Sequence, residues 1–154
     1  MAGTVVEIHL YPTVGAPATT LLAVEAVVGA GLTGDQRRRP TRQVTVLALE
    51  DWQRALDEIG ADLPPCARRA NVVVSGIDLP ATVGQRLRLG EVELQIHGET
   101  KPCDQMDAAE QGLREALVPS LRGGVHGSIE IGGALRVGDE VRLSESEPQM
   151  STNG

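Results

Sequence analysis

The chain has 154 residues, 41% of them hydrophobic and 23% charged, enough for one domain with a buried core. A formal net charge of −7 and a pI near 4.9 disfavour generic binding to a nucleic-acid backbone or an anionic membrane. Aromatic residues amount to 1%, with Trp52, Tyr11 and no Phe, so the stacking platforms that single-stranded nucleic acid needs are missing and the core falls to Val, Leu, Ile and Ala.

Short alternating segments punctuated by glycine predict a β-rich fold. Residues 5–10 read as a first strand and 21–28 as a second, ending at Gly29. Residues 43–49 read as a third strand, with Val44 and Val46 on one face. A helix is predicted over 50–59, with acids in its first turn and Gly60 as its stop. Residues 71–74 form a short apolar run closed by Ser75-Gly76. Residues 86–89 and 91–97 both alternate, with only Gly90 between them, the pattern of a hairpin. A second helix is predicted from about 102 to 117, stopped by Pro119. Strands at 128–131, 135–137 and 140–143 complete the set, and Gly132-Gly133 and Gly138-Asp139 mark turns. The expected fold is mainly β: a closed or partly open β-barrel with a few short helices. It occupies residues 1–144, and 145–154 read as a disordered tail.

Cys103, in Glu99-Thr100-Lys101-Pro102-Cys103-Asp104, is the leading candidate centre. With Pro102 opening the predicted helix and Lys101 as its cap, the thiol sits in positive potential. That potential favours the thiolate, the form that attacks sulfur or binds a soft metal. The alternative is a thiol facing the core beside Met106. Cys66 lacks such a setting and reads as a small buried hydrophobe. No signal-like segment precedes the first strand and no apolar run of about 18 residues occurs, so a reduced, cytoplasmic protein is expected.

Several other patterns are weaker. Gly29-Ala30-Gly31-Leu32-Thr33-Gly34 fits G-x-G-x-x-G, but the Arg-rich 37–39 and another strand follow instead of a helix, so a tight turn is expected rather than a dinucleotide site. Arg37 to Arg39 with Arg42 form a basic loop, either solvated or a phosphate clamp. Arg68, Arg69 and Arg122, the last beside Gly123-Gly124, are further anion candidates. His97 and His126 are candidate bases or ligands, though neither has zinc-site spacing.

The motifs also stand in a particular order. Gly31-Leu32-Thr33-Gly34-Asp35 is followed by Arg42-Gln43-Val44-Thr45-Val46-Leu47 and by Ala67-Arg68-Arg69-Ala70-Asn71-Val72-Val73-Val74-Ser75-Gly76. Lys101-Pro102-Cys103, Arg122-Gly123-Gly124 and the run from Gly132 to Val141 come after. From about 24 to 143 this resembles the MOSC domain, the module named for the C-terminal part of molybdenum-cofactor sulfurase. The resemblance implies a β-barrel-centred fold. It also implies that Cys103 either carries sulfur as a persulfide or ligates molybdenum held by a pterin dithiolene. Relatives known as oxidoreductases reduce N-hydroxylated compounds with the molybdenum cofactor (molybdopterin), whose phosphate their arginines bind. On this basis Arg68, Arg69, Asn71, Lys101, Arg122, Gly123 and Gly124 are the expected cofactor-binding residues. The chain departs from the family in having Gln36 and Arg37 where many members carry a His, and Lys101 where Arg is common. The extra N-terminal barrel of the larger enzymes does not fit in this length.

Three functions follow as expectations. The first is a molybdenum-cofactor protein with Cys103 as metal or sulfur centre, served by an electron-transfer partner. The second is a persulfide carrier supplied by a pyridoxal-phosphate-dependent cysteine desulfurase. The third is a non-enzymatic ligand- or partner-binding barrel. No nucleic-acid or membrane partner is expected from the charge and hydropathy.

Overall fold

The computed structural model describes residues 2–13, 15, 17–36, 40–101, 106 and 110–144. Among the described residues there are eleven strands: β1 (Ala2–Leu10), β2 (Thr19–Leu21), β3 (Ala23–Val27), β4 (Gly31–Leu32), β5 (Val44–Ala48), β6 (Val72–Ser75), β7 (Arg86–Leu89), β8 (Val92–Glu99), β9 (Val125–Ile131), β10 (Gly133–Arg136) and β11 (Glu140–Leu143). Two α-helices are described, α1 (Leu49–Ile59) and α2 (Leu113–Leu117).

Seven strands close into a barrel in the order β11-β7-β8-β9-β5-β6-β1, and β1 pairs with β11 to complete the ring. β2 adds to the far end of β1. A separate sheet, ordered β10-β3-β4, lies outside the ring. Every pairing is antiparallel except β5 with β6. That parallel pair needs a crossover, and α1 with the following loop supplies it.

The strand pattern explains the closure. In Arg86-Leu87-Arg88-Leu89 both leucines are buried, and Arg86 and Arg88 pair outside with Glu93. The barrel interior is aliphatic, built from Val5, Ile8, Val46, Val72, Leu87, Leu94, Ile96, Val125 and Val141 among others. β5 is buried along its whole length, because its outer face is covered too. A second cluster sits there: Leu47, Trp52, Ala55, Leu56, Met106, Leu113 and Leu117. Trp52, Ala55 and Leu56 follow helical spacing on α1, and the indole N–H of Trp52 donates to the Leu63 carbonyl at 3.1 Å. Gly60 ends α1 in the left-handed region, with its N–H turned back onto the helix.

The sequence expectations need correction at several places. The strand expected over 21–28 is two, broken at Leu22, which is 80% exposed. Leu49 opens α1 instead of closing β5, since the apolar run crosses the junction. The helix expected from 102 to 117 is not continuous. The chain bends at Glu110, Gly112 has φ of 87°, and α2 starts anew at Leu113. Glu110 N–H donates to the Met106 carbonyl at 3.0 Å. Cys66, expected buried, is half-buried in a 3-10 turn, Pro65–Arg68. The glycine motif at 29–34 forms the tip joining β3 to the short β4, and the next described element after it is a strand, β5. The tail, 145–154, lies outside the described residues, as do Arg37 to Arg39.

Candidate functional site

On the outside of the barrel, between β5 and the turn before β6, lies a cavity of about 260 Å³. Gln36, Arg42, Thr45, Arg68, Arg69, Ala70, Thr100, Lys101, Met106 and Gly123 line it. Four of these are cations, on a chain whose net charge is −7. Concentrating positive charge in one concavity gives an acidic protein a local positive potential that its total charge hides.

Each wall has a structural reason. Thr45 stands between Val44 and Val46 on β5, so it points outward while they point into the barrel. It is locked to Asn71: the Thr45 N–H and hydroxyl donate to Asn71 Oδ1 at 3.1 and 3.3 Å, and Asn71 N–H donates back to Thr45 Oγ1 at 3.0 Å. Asn71, fully buried, also donates through Nδ2 to the His9 carbonyl and to Asp35 Oδ2, both at 3.2 Å. Asp35 Oδ1 in turn accepts from Tyr11 N–H at 2.8 Å. The Gly-Asp and Ala-Asn motifs are therefore two halves of one buried network that holds the floor of the cavity.

Arg68 is 7% exposed. Its Nη2 donates to the Thr100 carbonyl at 2.7 Å and its Nε to the Gly123 carbonyl at 3.0 Å. It ties the strand end leading to Lys101 to the Arg122-Gly123-Gly124 segment. Gly124 has φ of 97°, and a Cβ there would meet the Val46 carbonyl oxygen 2.3 Å away. Only glycine lets this segment lie so close to β5. Arg69 ends the Pro65–Arg68 turn in the left-handed region, φ of 63°, and its guanidinium lies over the Tyr11 ring with Cζ 4.2 Å from the centroid.

Of the residues expected from sequence, Arg68, Arg69, Lys101 and Gly123 come together at this cavity. Asn71 and Gly124 lie behind its lining, as braces. Arg122 does not face the cavity. Its Nη1 donates to Glu58 Oε1 on α1 at 2.8 Å and to the Ala116 carbonyl on α2 at 3.0 Å. The hydrogen bond between them lowers the Glu58 pKa and raises that of Arg122. Cys103 and the predicted helix start around it lie outside the described residues. In sequence it falls between Lys101 and Met106, both of which line the cavity. Among the described residues no group of three His, Cys, Asp or Glu is placed to hold a metal ion.

The histidines separate. His97 is exposed on β8, and its Nε2 lies 2.9 Å from Ser128 Oγ. Ser128 spends its own proton on Glu130 Oε2 at 3.1 Å, so His97 donates to Ser128 and cannot activate it. His126 sits on β9 opposite Thr45, and its buried Nδ1 has no hydrogen-bond partner among the described residues. Burial foremost, then Arg42 and His97, lowers its pKa below 6.5, while a hydrogen bond to the Glu99 backbone works the other way. A histidine held neutral in the fold but protonated in the open chain costs stability in acid. Stability is therefore expected to fall as pH drops from about 7.5 through 6.5 and then level off below the folded pKa. His126→Gln should flatten that slope in urea unfolding followed across this range. An unchanged slope would place its source elsewhere.

Sequence reasoning did not single out Thr45, Thr100 or Tyr11. Thr45 was visible as the one polar residue in an apolar strand. Tyr11 was visible only as the sole tyrosine.

The family model described as MOSC domain matches residues 32–142. Among solved structures, the YuaD protein from Bacillus subtilis superposes with a TM-score of 0.77 at 21% identity, covering 92% of this chain and 94% of that one. YiiM from Geobacillus stearothermophilus gives 0.74 at 16% identity, covering 93% and 75%, and YiiM from Escherichia coli gives 0.72 at 16%, covering 98% and 73%. These likenesses concern the fold. No curated protein matches the chain in sequence.

Proposed function

The chain belongs to the MOSC domain family, and from that premise we propose that its cationic cavity binds the phosphate-bearing end of a molybdenum-cofactor-type pterin, with Cys103 as the thiolate centre. The observation that carries the proposal is the convergence of Arg42, Arg68, Arg69 and Lys101 on one concavity of an acidic protein. The donor set fits the group: planar forks and an ammonium suit phosphate oxygens, and Thr45 and Gln36 add neutral partners at the wall. A volume of about 260 Å³ is smaller than a site enclosing a whole drug-sized ligand, so the phosphate end enters and the rest extends out. Arg42, Arg69 and Lys101 bind the anion, while Arg68 holds the two wall segments in place. Cys103 follows Lys101 by two residues, and that charge favours its thiolate. When bound, the cofactor would supply two-electron removal of oxygen from an N-hydroxylated compound, with an electron-transfer protein as the partner.

The test is purification from a cofactor-producing host, with molybdenum and pterin measured per chain. Wild type is expected to carry both, and Arg69→Gln to retain the pterin about tenfold less well. Wild-type protein with neither, and without uptake on reconstitution, rejects the proposal.

A second reading draws support from how Arg68 and Arg122 spend their donors inside the protein, leaving fewer for a phosphate. Here Cys103 is a sulfur carrier. Its thiolate attacks the terminal sulfur of a cysteine desulfurase persulfide, a new S–S bond forms, and the desulfurase cysteine leaves as thiolate. Incubation with a desulfurase and cysteine, followed by mass spectrometry, should then show one added sulfur on Cys103. Its absence removes this reading.

A further inference from the structure

The single tyrosine of this chain stands where four segments meet around the cavity. Tyr11 is 1% exposed, just past the end of β1. Its N–H donates to Asp35 Oδ1 at 2.8 Å, and its carbonyl accepts from Gln36 N–H at 3.1 Å. Its hydroxyl lies 3.2 Å from the Cys66 carbonyl and 3.3 Å from the Ala70 carbonyl, on either side of Arg69. Its ring face carries the Arg69 guanidinium at 4.2 Å. A fold that otherwise builds its core from aliphatic residues spends one of its two aromatics here.

We propose that Tyr11 is a positioning residue that presents Arg69 to the anion, with its two polar and apolar parts doing separate jobs. The hydroxyl fixes the turn that forces Arg69 into its left-handed backbone. The ring fixes the guanidinium plane, so that the edge of the fork, where its N–H groups lie, is held at the cavity in advance of the ligand. An arginine stacked on an aromatic face keeps its in-plane donors, because the ring engages only the π surface. Holding the fork also removes rotamer freedom that binding would otherwise have to quench. This inference rests on reading the cavity as an anion site, and it extends that reading to a residue with no contact of its own to the ligand.

The two parts can be separated by substitution. Tyr11→Phe keeps the ring and loses the hydroxyl. It is expected to lower the urea midpoint, with Trp52 fluorescence reporting unfolding from the other cluster, and to weaken binding of inorganic phosphate by less than Tyr11→Leu does. Tyr11→Leu loses both parts and is expected to weaken phosphate binding about three- to tenfold, approaching Arg69→Gln. Equal loss of affinity in Tyr11→Phe and Tyr11→Leu would overturn the proposal, and so would Tyr11→Leu binding as wild type does. A second measurement does not depend on the ligand. The Arg69 side-chain proton resonances should be shifted upfield by the ring in wild type and Tyr11→Phe, and return to ordinary positions in Tyr11→Leu. A ring-shifted Arg69 in a wild-type protein that binds no phosphate would refute the anion reading and leave the stacked arrangement standing as structure alone. An unshifted Arg69 in wild type overturns the positioning role whatever the binding result.

Discussion

Arg68→Met is expected to cost the fold about 3 kcal/mol or more and to abolish ligand binding at the cavity. Arg68 is buried, and two of its donors satisfy the carbonyls of Thr100 and Gly123. Each is a charge-assisted bond of roughly 1.5–3 kcal/mol, and methionine fills the volume while leaving both carbonyls without that donor. The two wall segments, which come from opposite ends of the region flanking Cys103, then lose their tie. Arg68→Lys is the informative control. Its ammonium on a flexible stem cannot span both carbonyls in one plane, so an intermediate loss is expected. Urea unfolding measures the stability and titration with inorganic phosphate the binding. If Arg68→Met unfolds within about 1 kcal/mol of wild type, the internal ties contribute little and Arg68 belongs with the ligand contacts instead.

Asn71→Ala should be comparably severe, at about 3–4 kcal/mol, although no ligand contact is assigned to it. One side chain serves Thr45, Asp35 and the His9 carbonyl, all from different segments, in a site with no exposure. Alanine leaves the donors on Thr45 and the acceptors on Asp35 and His9 without that partner at once. Asn71→Asp gives the opposite test. It keeps the acceptor for Thr45 but sets a carboxylate against Asp35. The new carboxyl would have a raised pKa in the fold, so the variant should gain stability as pH falls, where wild type loses it through His126. A variant whose stability falls with pH as wild type does would mean that the two carboxylates are not in contact.

Much of this architecture was readable before the structure. Strict alternation gave β7 and β8 with Gly90 between them, because a barrel wall has one apolar and one polar face. The apolar run at 71–74 was legible as a run, and the structure buries Val72, Val73 and Val74 on both faces of β6. The Gly-Asp and Ala-Asn motifs were legible as motifs, and their joining through Asp35 and Asn71 explains why they occur together. What the sequence left unread was whatever depended on partners distant in the chain. Arg122 beside two glycines reads as an anion clamp, yet Glu58, supplied by α1, engages it. Gly112 within a helix-like pattern gave no local sign that it would adopt a positive φ and divide the segment. Tyr11-Pro12-Thr13 carries no pattern at all, and its importance comes from Arg69, which stacks on it across the fold.

The ring has a consequence for how the protein is made. β1 pairs with β2, β6 and β11, and the last of these, with Ala2 opposite Arg142, lies more than 130 residues later in the chain. Until residues 140–143 have left the ribosome, the near ends of β1 and β7 present unpaired backbone, the kind of edge on which nascent chains stick to one another. Chains that end before Glu140 should therefore associate where chains that include β11 do not, and a chaperone that shields strand edges should matter most until residues 140–143 emerge.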